Sequence, residues 1–209
     1  MEQKTIPGRL HPAQLAVFLI APVLIGLVCL CVGRMNVPVK DLFASMKGLD
    51  IGRQKATVLW SMRLPRVLLA GLIGAGLSVS GCVFQSMFAN PLATPDTLGV
   101  ASGASFGAAL ALLLGFGFTG VQLTAFFFGA LAVGLTCLMG KGGSRASMIL
   151  SGIMMGSLFS ALVSLVKFTA DPESQLPAIT YWLMGSLSAA SFESLQLGAP
   201  AIIAACLIL

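Results

Sequence analysis

The chain has 209 residues, of which 57% are hydrophobic and 9% charged, and its formal net charge is +5. Because a typical soluble domain carries about 25% charged residues, this composition excludes an ordinary soluble domain and is typical of a membrane protein. The small positive charge suits loops that lie against anionic lipid, and it does not indicate nucleic-acid binding.

Hydropathy predicts an all-α, polytopic membrane protein, since an apolar run of about 20 residues crosses the hydrocarbon core as a helix. The first run, residues 15–32, is longer than the core of a signal peptide and lacks a cleavage motif, so we expect a retained spanning helix. Six spans are predicted, at about residues 13–33, 67–89, 97–115, 121–140, 148–170, and from about Leu195 onward. The sixth run reaches Leu209 without flanking polar residues. The expectation is therefore that residues 1–209 form the N-terminal part of one transmembrane domain, truncated in its sixth helix.

The segment between the first two spans is the most basic part of the chain. It carries Arg34, Lys40, Lys47, Arg53, Lys55, Arg63 and Arg66 against Asp41 and Asp50. The positive-inside rule places this segment in the cytoplasm, because the other side would hold the smaller set Lys4, Arg9, Lys141 and Arg145. Charge alone thus predicts that the N-terminus lies outside the cell.

Two predicted helices carry small residues at every fourth position. One stripe is Gly99, Gly103, Gly107, Ala111 and Gly115, and the other is Gly152, Gly156, Ser160 and Ser164. Small side chains let helix backbones approach closely in lipid, so one interpretation is tight packing. The alternative is that the second stripe lines the route of a bulky solute, because small residues leave space and its serines offer uncharged hydroxyls.

The sequence predicts no catalytic residue and no metal site. Residues 67–95 and 97–140 contain no ionisable acid, base or histidine, whereas ion-coupled carriers usually keep such groups within the membrane. The one histidine, His11, precedes the first span and cannot activate a serine at membrane depth. The five cysteines lie in apolar segments without other ligands at metal spacing. We therefore expect a transport subunit and no enzyme.

Several motifs together resemble one family. Arg63-Leu64-Pro65-Arg66 opens the predicted second helix, and Gln85, Asn90-Pro91-Leu92-Ala93, Pro95, Leu98-Gly99, Leu150-Ser151-Gly152 and Tyr181-Trp182-Leu183-Met184-Gly185-Ser186-Leu187 follow. Over about residues 60–187, this pattern resembles the FecCD-type permeases of ABC importers, which take up iron-siderophores, haem or cobalamin.

The resemblance implies a ten-helix subunit in the bacterial inner membrane with a cytoplasmic N-terminus, contrary to the charge count. It implies four kinds of partner: a second permease copy, a cytoplasmic ABC ATPase dimer, an extracytoplasmic substrate-binding protein and membrane lipid. It also implies that this chain binds no cofactor, since ATP and Mg²⁺ belong to the partner ATPase. The family's ATPase-coupling loop would lie beyond Leu209.

The resemblance also assigns roles to particular residues. Arg63 and Arg66 match outward-facing arginines that dock carboxylates of the binding protein, with interfacial anchoring as the alternative. Asn90 and Leu92 match a cytoplasmic gate, with a rigid capped turn as the alternative. Gly152, Gly156, Ser160 and Ser164 are the candidate route lining. Asp171 and Glu173 are expected in an external loop, before a short helix at residues 179–187.

The function predicted from sequence is a permease subunit of a binding-protein-dependent importer for iron-siderophore or a related chelate. The mechanism implied is alternating access without chemistry on the solute. Three alternatives stay open at this point: an ATP-independent channel or secondary carrier, a structural membrane scaffold, and an inactive truncated remnant.

Overall fold

The computed structural model describes residues 11–209, and the prediction of an all-α protein is confirmed over that range. The helical elements in chain order are α1 (Pro12–Cys31), α2 (Val39–Met46), α3 (Arg53–Ala56), a π-helical segment (Thr57–Arg63), α4 (Leu64–Phe88), a 3₁₀ turn (Pro95–Leu98), α5 (Val100–Leu113), α6 (Phe118–Gly140), α7 (Arg145–Thr169), α8 (Gln175–Met184) and α9 (Phe192–Ile208). Lys4 and Arg9, which entered the charge count, lie outside the described residues. The described chain forms two compact units, residues 11–76 with 187–208 and residues 77–186.

Four helices in the described range are long and apolar enough to cross a membrane. They are Pro12–Cys31, Arg53–Phe88, Phe118–Gly140 and Arg145–Thr169. The third and sixth predicted spans form shorter helices, Val100–Leu113 and Phe192–Ile208. At 1.5 Å per residue, the 14 residues of α5 span about 21 Å, less than the roughly 30 Å of hydrocarbon. The predicted count of six spanning helices is therefore not confirmed.

Glycines in left-handed backbone geometry explain why α5 is short. Gly99 precedes the helix with φ +77°, and Gly115 follows it with φ +73°. Both conformations are accessible to glycine at little cost and interrupt an α-helix. The predicted span at residues 97–115 thus shortens at both ends, and Gly115 lies outside the helical stripe.

The prediction that Arg63 to Arg66 open the second spanning helix is wrong. The helix begins at Arg53 and runs continuously to Phe88, so the two arginines lie within it. Pro65 has no N–H and would disturb a regular α-helix. The π-helical segment directly before it, in which the Leu64 N–H bonds to Leu59 O, takes up the change of register. The helix therefore continues through the proline.

The first unit has a small apolar core at the C-terminal end of α1. Leu30 and Cys31 from α1, Leu42 from α2 and Leu59 from the π-helical segment are buried together. Two polar contacts tie α2 to the helix that follows: Lys55 Nζ lies 2.6 Å from Asp41 Oδ2, and Trp60 Nε1 donates to Ser45 Oγ at 2.7 Å. Unit 1 thus fixes α2 against the end of a spanning helix.

The second unit is built on α5, which packs against both α6 and α7. The packing interpretation of the first stripe is confirmed for its central members. A Cβ on Gly103 would lie 2.6 Å from Phe128 O, and one on Gly107 would collide with Thr124 O, while Ala111 is fully buried. Since apolar burial does not drive helices together in lipid, this close backbone contact supplies the packing.

Candidate functional site

Arg63 makes hydrogen bonds within its own unit. Its Nη1 donates to Leu30 O at 2.7 Å and to Cys31 O at 3.1 Å, and its Nη2 donates to Met35 O. The last carbonyls of a helix have no intrahelical partner, and a cation there complements the helix dipole. Arg63 is therefore a long-range cap for the C-terminus of α1.

Gly33 makes room for this arginine. A Cβ at that position would lie 2.6 Å from Arg63 Nη2 and 3.1 Å from its Cζ. A side chain at residue 33 would therefore push the guanidinium away from the α1 carbonyls. Gly33 has no signal in the sequence, because its partner lies thirty residues further along the chain.

Arg66 bonds to the turn that follows α8. Its Nε donates to Leu187 O at 2.9 Å, and its Nη2 donates to Ser188 O at 2.7 Å. Unlike Arg63, which is partly buried, Arg66 is exposed. The two arginines predicted to act together thus have different surroundings within unit 1.

Asn90 lies in a tight turn that ends α4. Ala89 has φ +48°, its N–H bonds to Ser86 O, and the Asn90 N–H bonds to Gln85 O. This pair of bonds around a left-handed residue is a Schellman motif, although glycine is the usual residue at that position. The Asn90 side chain then accepts from the Leu92 N–H at 2.9 Å.

Leu92 projects from this turn, and 84% of its surface is exposed. The next residues are held by further caps: Thr94 and Thr97 form a reciprocal pair, and Asp96 Oδ1 accepts from the Ala101 N–H at 2.7 Å. Asn90 and Leu92 therefore lie in one loop that several hydrogen bonds hold in place. The Asn90 side chain stabilises the turn, and the Leu92 side chain is apolar and accessible.

Gly152 and Gly156 border a groove of about 310 Å³ between α7 and the loop before α5. We call it the Gly152 groove, and its lining residues are Asp96, Thr97, Gly99, Ser102, Ile149, Gly152, Ile153 and Gly156. A Cβ on Gly152 would collide with Thr97 O, and one on Gly99 would lie 3.1 Å from Gly156 N. These glycines thus permit close backbone contact as well as bordering the groove.

Ser160 borders a second groove of about 270 Å³, the Ser160 groove. Its lining residues are Ala101, Ser102, Ser105, Ser160, Val163 and Leu183, so Ser102 is common to both grooves. Ser164 lies one turn further on, where its hydroxyl donates to Ser160 O at 3.1 Å. Three of the four predicted lining residues therefore border one of these two grooves, as do Ser102 and Ser105.

Asp171 organises the loop between α7 and α8. Its Oδ2 accepts hydrogen bonds from both the Ser174 hydroxyl and the Ser174 N–H, the latter at 2.9 Å. These bonds favour the carboxylate and lower the pKa of Asp171, the hydroxyl bond most strongly. Gln175 links the same loop to α5, with its Nε2 donating to Leu113 O at 3.0 Å. The short helix expected at residues 179–187 begins earlier, at Gln175.

Thr136 is a buried polar residue that sequence analysis missed. It is fully buried, and its hydroxyl donates to Leu98 O at 3.0 Å. This bond joins α6 to the loop that carries Asn90 and Leu92. A threonine within an apolar helix is too common to signal such a contact, because its partner depends on helix packing.

Four long apolar helices and close, glycine-mediated helix packing define a multi-pass helical membrane protein. The profile of the FecCD transport family matches residues 19–209. The chain therefore belongs to that family, and the resemblance seen in its motifs is confirmed. Family permeases of this kind lie in the bacterial inner membrane and use a separate ATPase subunit.

Individual relatives agree with this assignment. The chain is 38% identical over 180 residues to the molybdate import system permease protein MolB of Haemophilus influenzae, covering 83% of this chain and 53% of the relative. It is 31% identical to the hemin transport system permease protein HmuU of Yersinia pestis, covering 96% and 61%. A solved inward-facing structure of a metal-chelate type ABC transporter matches with a TM-score of 0.82 and 34% identity, covering 93% of this chain and 60% of that chain. The chain thus spans little more than half the length of these relatives.

Proposed function

We propose that this chain acts as a permease subunit of a binding-protein-dependent ABC importer that carries a metal chelate. The observation that supports this most directly is the family match across residues 19–209, together with structural similarity to a metal-chelate type transporter. Iron-siderophore is the preferred cargo, with haem and cobalamin as related chelates.

The proposed partners are a second permease copy, a cytoplasmic ATPase dimer that binds ATP and Mg²⁺, and an extracytoplasmic substrate-binding protein. The chain itself binds no cofactor in this proposal. Nucleotide and loaded binding protein each shift the permease between outward-open and inward-open states, by no more than their difference in affinity for the two states. The solute crosses without a change in its covalent structure.

The binding protein docks on Arg66 and Arg63 in this proposal. Arg66 is exposed, and a guanidinium can grip a carboxylate with two parallel hydrogen bonds. Arg63 already serves three carbonyls, so its contribution is to hold the end of α1 in place beside the docking surface. Interfacial anchoring is the alternative role for both.

Asn90 and Leu92 form the proposed cytoplasmic gate. The highly exposed Leu92 side chain can close an aqueous path by apolar contact, while the Asn90 turn fixes its direction. Gly152, Gly156, Ser160 and Ser164 line the proposed route. Because four of the six residues that border the Ser160 groove are alanine or serine, the route suits a bulky solute whose metal is already coordinated.

The grooves favour a chelate over a free oxyanion such as molybdate. Among the described residues that border the two grooves, the one acidic or basic side chain is that of Asp96. A negative carboxylate repels an oxyanion, whereas arginine and lysine are the side chains that usually bind one. The MolB relative is named as a molybdate import permease, and molybdate is therefore the second candidate cargo.

The test is uptake in a strain that carries this gene in its natural genetic context. Cells with and without the gene are compared for accumulation of radiolabelled ferric siderophore, haem, cobalamin and molybdate. We expect loss of chelate uptake on deletion, and the same loss when the partner ATPase is inactivated.

Three results would contradict the proposal. Uptake that survives ATPase inactivation would favour a channel or secondary carrier. Loss of molybdate uptake alone would reassign the cargo. Unchanged uptake of every solute would favour a scaffold or an inactive remnant.

A further inference from the structure

The short helix α2 carries an apolar face that the described chain leaves exposed. Val39, Phe43 and Met46, at helical spacings of four and three, are 55%, 59% and 64% exposed, and Leu49 in the following turn is 61% exposed. Beside them, three residues after Val39 and four before Met46, Leu42 is 4% exposed and packs into the core at the end of α1. The helix thus has one apolar face, of which the Leu42 edge packs on the protein and the rest faces outward.

Two cations border the exposed face. Lys40 and Lys47 directly follow Val39 and Met46, and both are exposed. Residues seven apart lie on the same side of a helix, so the two ammonium groups flank the apolar face along one edge. Apolar residues edged by lysines are the pattern of helices that lie in the membrane interface.

The position of α2 within its unit agrees with a location in the membrane interface. Leu42 packs against Leu30 and Cys31, the last turn of a spanning helix, where the chain leaves the hydrocarbon. Trp60, 37% exposed, bonds to Ser45 on α2. Tryptophan is enriched at the boundary between the acyl chains and the headgroups. The end of α1, the Trp60 side chain and α2 are therefore expected at the same depth, at the boundary between acyl chains and headgroups.

We propose that α2 lies in the lipid interface of the chain's own membrane. Val39, Phe43, Met46 and Leu49 enter the acyl boundary, and Lys40 and Lys47 reach anionic lipid phosphates. The ion pair between Asp41 and Lys55 removes the one acidic side chain of α2 from contact with the headgroups. The segment anchors the connection between α1 and the helix that starts at Arg53. This inference does not depend on which solute is carried.

A lipid surface fits this face better than a protein partner does. A lysine ammonium is a strongly hydrated charge on a flexible stem, which suits mobile phosphates, and lysine is depleted in protein interfaces. The acyl chains that surround α1 can cover the aliphatic and phenyl side chains at this depth, so no protein partner is required to bury them. Burial against a second copy is the alternative outcome of the test.

The first experiment uses the unaltered protein in vesicles of phosphatidylcholine and phosphatidylglycerol. A phospholipid with a photoactivated diazirine on its acyl chain labels whatever contacts lipid, and mass spectrometry locates the label. We expect residues 39–49 to be labelled several-fold more than the exposed acidic loop Asp171–Ser174, and comparably to the exposed apolar side of α1 around Phe18. Labelling of residues 39–49 no higher than that of the loop would overturn the proposal.

A second measurement places the depth by tryptophan quenching. Phe43→Trp is made with Trp60→Phe and Trp182→Phe, and Glu173→Trp in the same background is the matched control. Lipids brominated near the headgroup should quench the first protein several-fold more than the control. Equal quenching in the two proteins would overturn the proposal. A lipid label at residues 39–49 that increases as the protein is diluted in lipid would also overturn it, because a second copy would then cover the face.

The role of the lysines has its own test. Raising the phosphatidylglycerol fraction should increase labelling of residues 39–49 in the unaltered protein and much less in the variant Lys40→Gln/Lys47→Gln. An equal response would overturn the assignment of these lysines to lipid phosphates.

Discussion

Arg63 donates a hydrogen bond to the carbonyl of Leu30 at 2.7 Å, although 33 residues separate them in the chain. The same guanidinium also donates hydrogen bonds to the carbonyls of Cys31 and Met35, so one side chain pairs with three carbonyls around the end of α1. A lysine cannot reproduce this, because its ammonium is a point charge without the planar fork. Arg63 therefore has a structural role within its own chain that does not require contact with a partner.

Replacing Arg63 by Gln should destabilise the protein and loosen the end of α1. Hydrogen bonds to a charged group contribute about 1.5–3 kcal/mol each, but the site is partly exposed and water replaces some of the loss, so we expect about 1–3 kcal/mol. The measurement is thermal unfolding in detergent. Arg63→Lys should be intermediate, and stability unchanged in Arg63→Gln would show that the cap is unimportant.

Replacing Arg66 by Glu should separate docking from stability. The exposed guanidinium bonds to Leu187 and Ser188 carbonyls, and exposed polar contacts contribute little, so unfolding should change by less than about 1 kcal/mol. Affinity for the binding protein should fall tenfold or more, which corresponds to about 1.4 kcal/mol. Binding in nanodiscs measures it. Affinity equal to that of the unaltered protein would favour simple anchoring.

Substitution of Gly107 by Ala should destabilise unit 2. The added methyl would collide with Thr124 O, and overpacking costs about 1–3 kcal/mol. Gly134→Ala is the matched control, because nothing lies within 4 Å of its added Cβ and alanine favours a helix by about 0.5–1 kcal/mol. Opposite shifts in the unfolding temperature are expected. Equal shifts would contradict the packing of α5 on α6.

Ala89→Gly should stabilise the turn before the proposed gate. Ala89 has φ +48°, a conformation that costs an L-residue roughly 1–2 kcal/mol and glycine much less. A gain near 1 kcal/mol in unfolding free energy is expected. Ala130→Gly, at an exposed position inside α6, should instead lose up to about 1 kcal/mol. A loss at both positions would contradict the left-handed geometry of residue 89.

Thr136→Val should cost stability while preserving shape. It removes the hydroxyl bonded to Leu98 O and leaves that buried carbonyl unpaired, which costs about 1–3 kcal/mol. Thr136→Ser keeps the hydroxyl and should lose less. Hydrogen exchange of the backbone around residues 96–101 should rise only in the valine variant. Equal exchange in the two variants would show that the bond from Thr136 to Leu98 O does not stabilise this segment.

The loop at Asp171 should loosen in acid. Hydrogen bonds from Ser174 lower the pKa of Asp171 below its unfolded value of 3.8, so the folded loop favours the carboxylate. This contribution is complete above the unfolded pKa and is lost as the pH falls through the lower folded pKa. The protection factor of the Ser174 amide, which corrects the exchange rate for its intrinsic change with pH, should fall over that range. Asp171→Asn should abolish the pH dependence, and an identical profile in both proteins would contradict this role.

Much of the fold was predictable because membrane insertion imposes a simple rule on local sequence. Apolar runs located α1, α6 and α7 to within a few residues, since backbone groups in lipid must be paired within a helix. The start of the second spanning helix was predicted at Arg63 to Arg66, whereas the helix begins at Arg53. A proline normally marks a boundary, and only the register change in the π-helical segment lets the helix pass through it.

The candidate site was only partly predictable. The motifs pointed to Arg63, Arg66, Asn90 and Leu92 through family resemblance, and their proposed roles stay predictions. Gly33 and Thr136 were missed because each matters through one distant neighbour. Small-residue spacing located both stripes, but it could not distinguish Gly107, pressed against Thr124, from Ser164 on an exposed face.

Composition and the length of the apolar runs by themselves determined that the chain is a helical membrane protein, and its motifs determined the family. These properties depend on residues near one another in sequence, because lipid solvation and helix hydrogen bonding act locally. Tertiary structure alone decided that Arg63 caps α1, that Gly107 is a contact and that α2 turns an apolar face outward. Each of these depends on which distant backbone lies within a few ångströms, and that distance is set by packing.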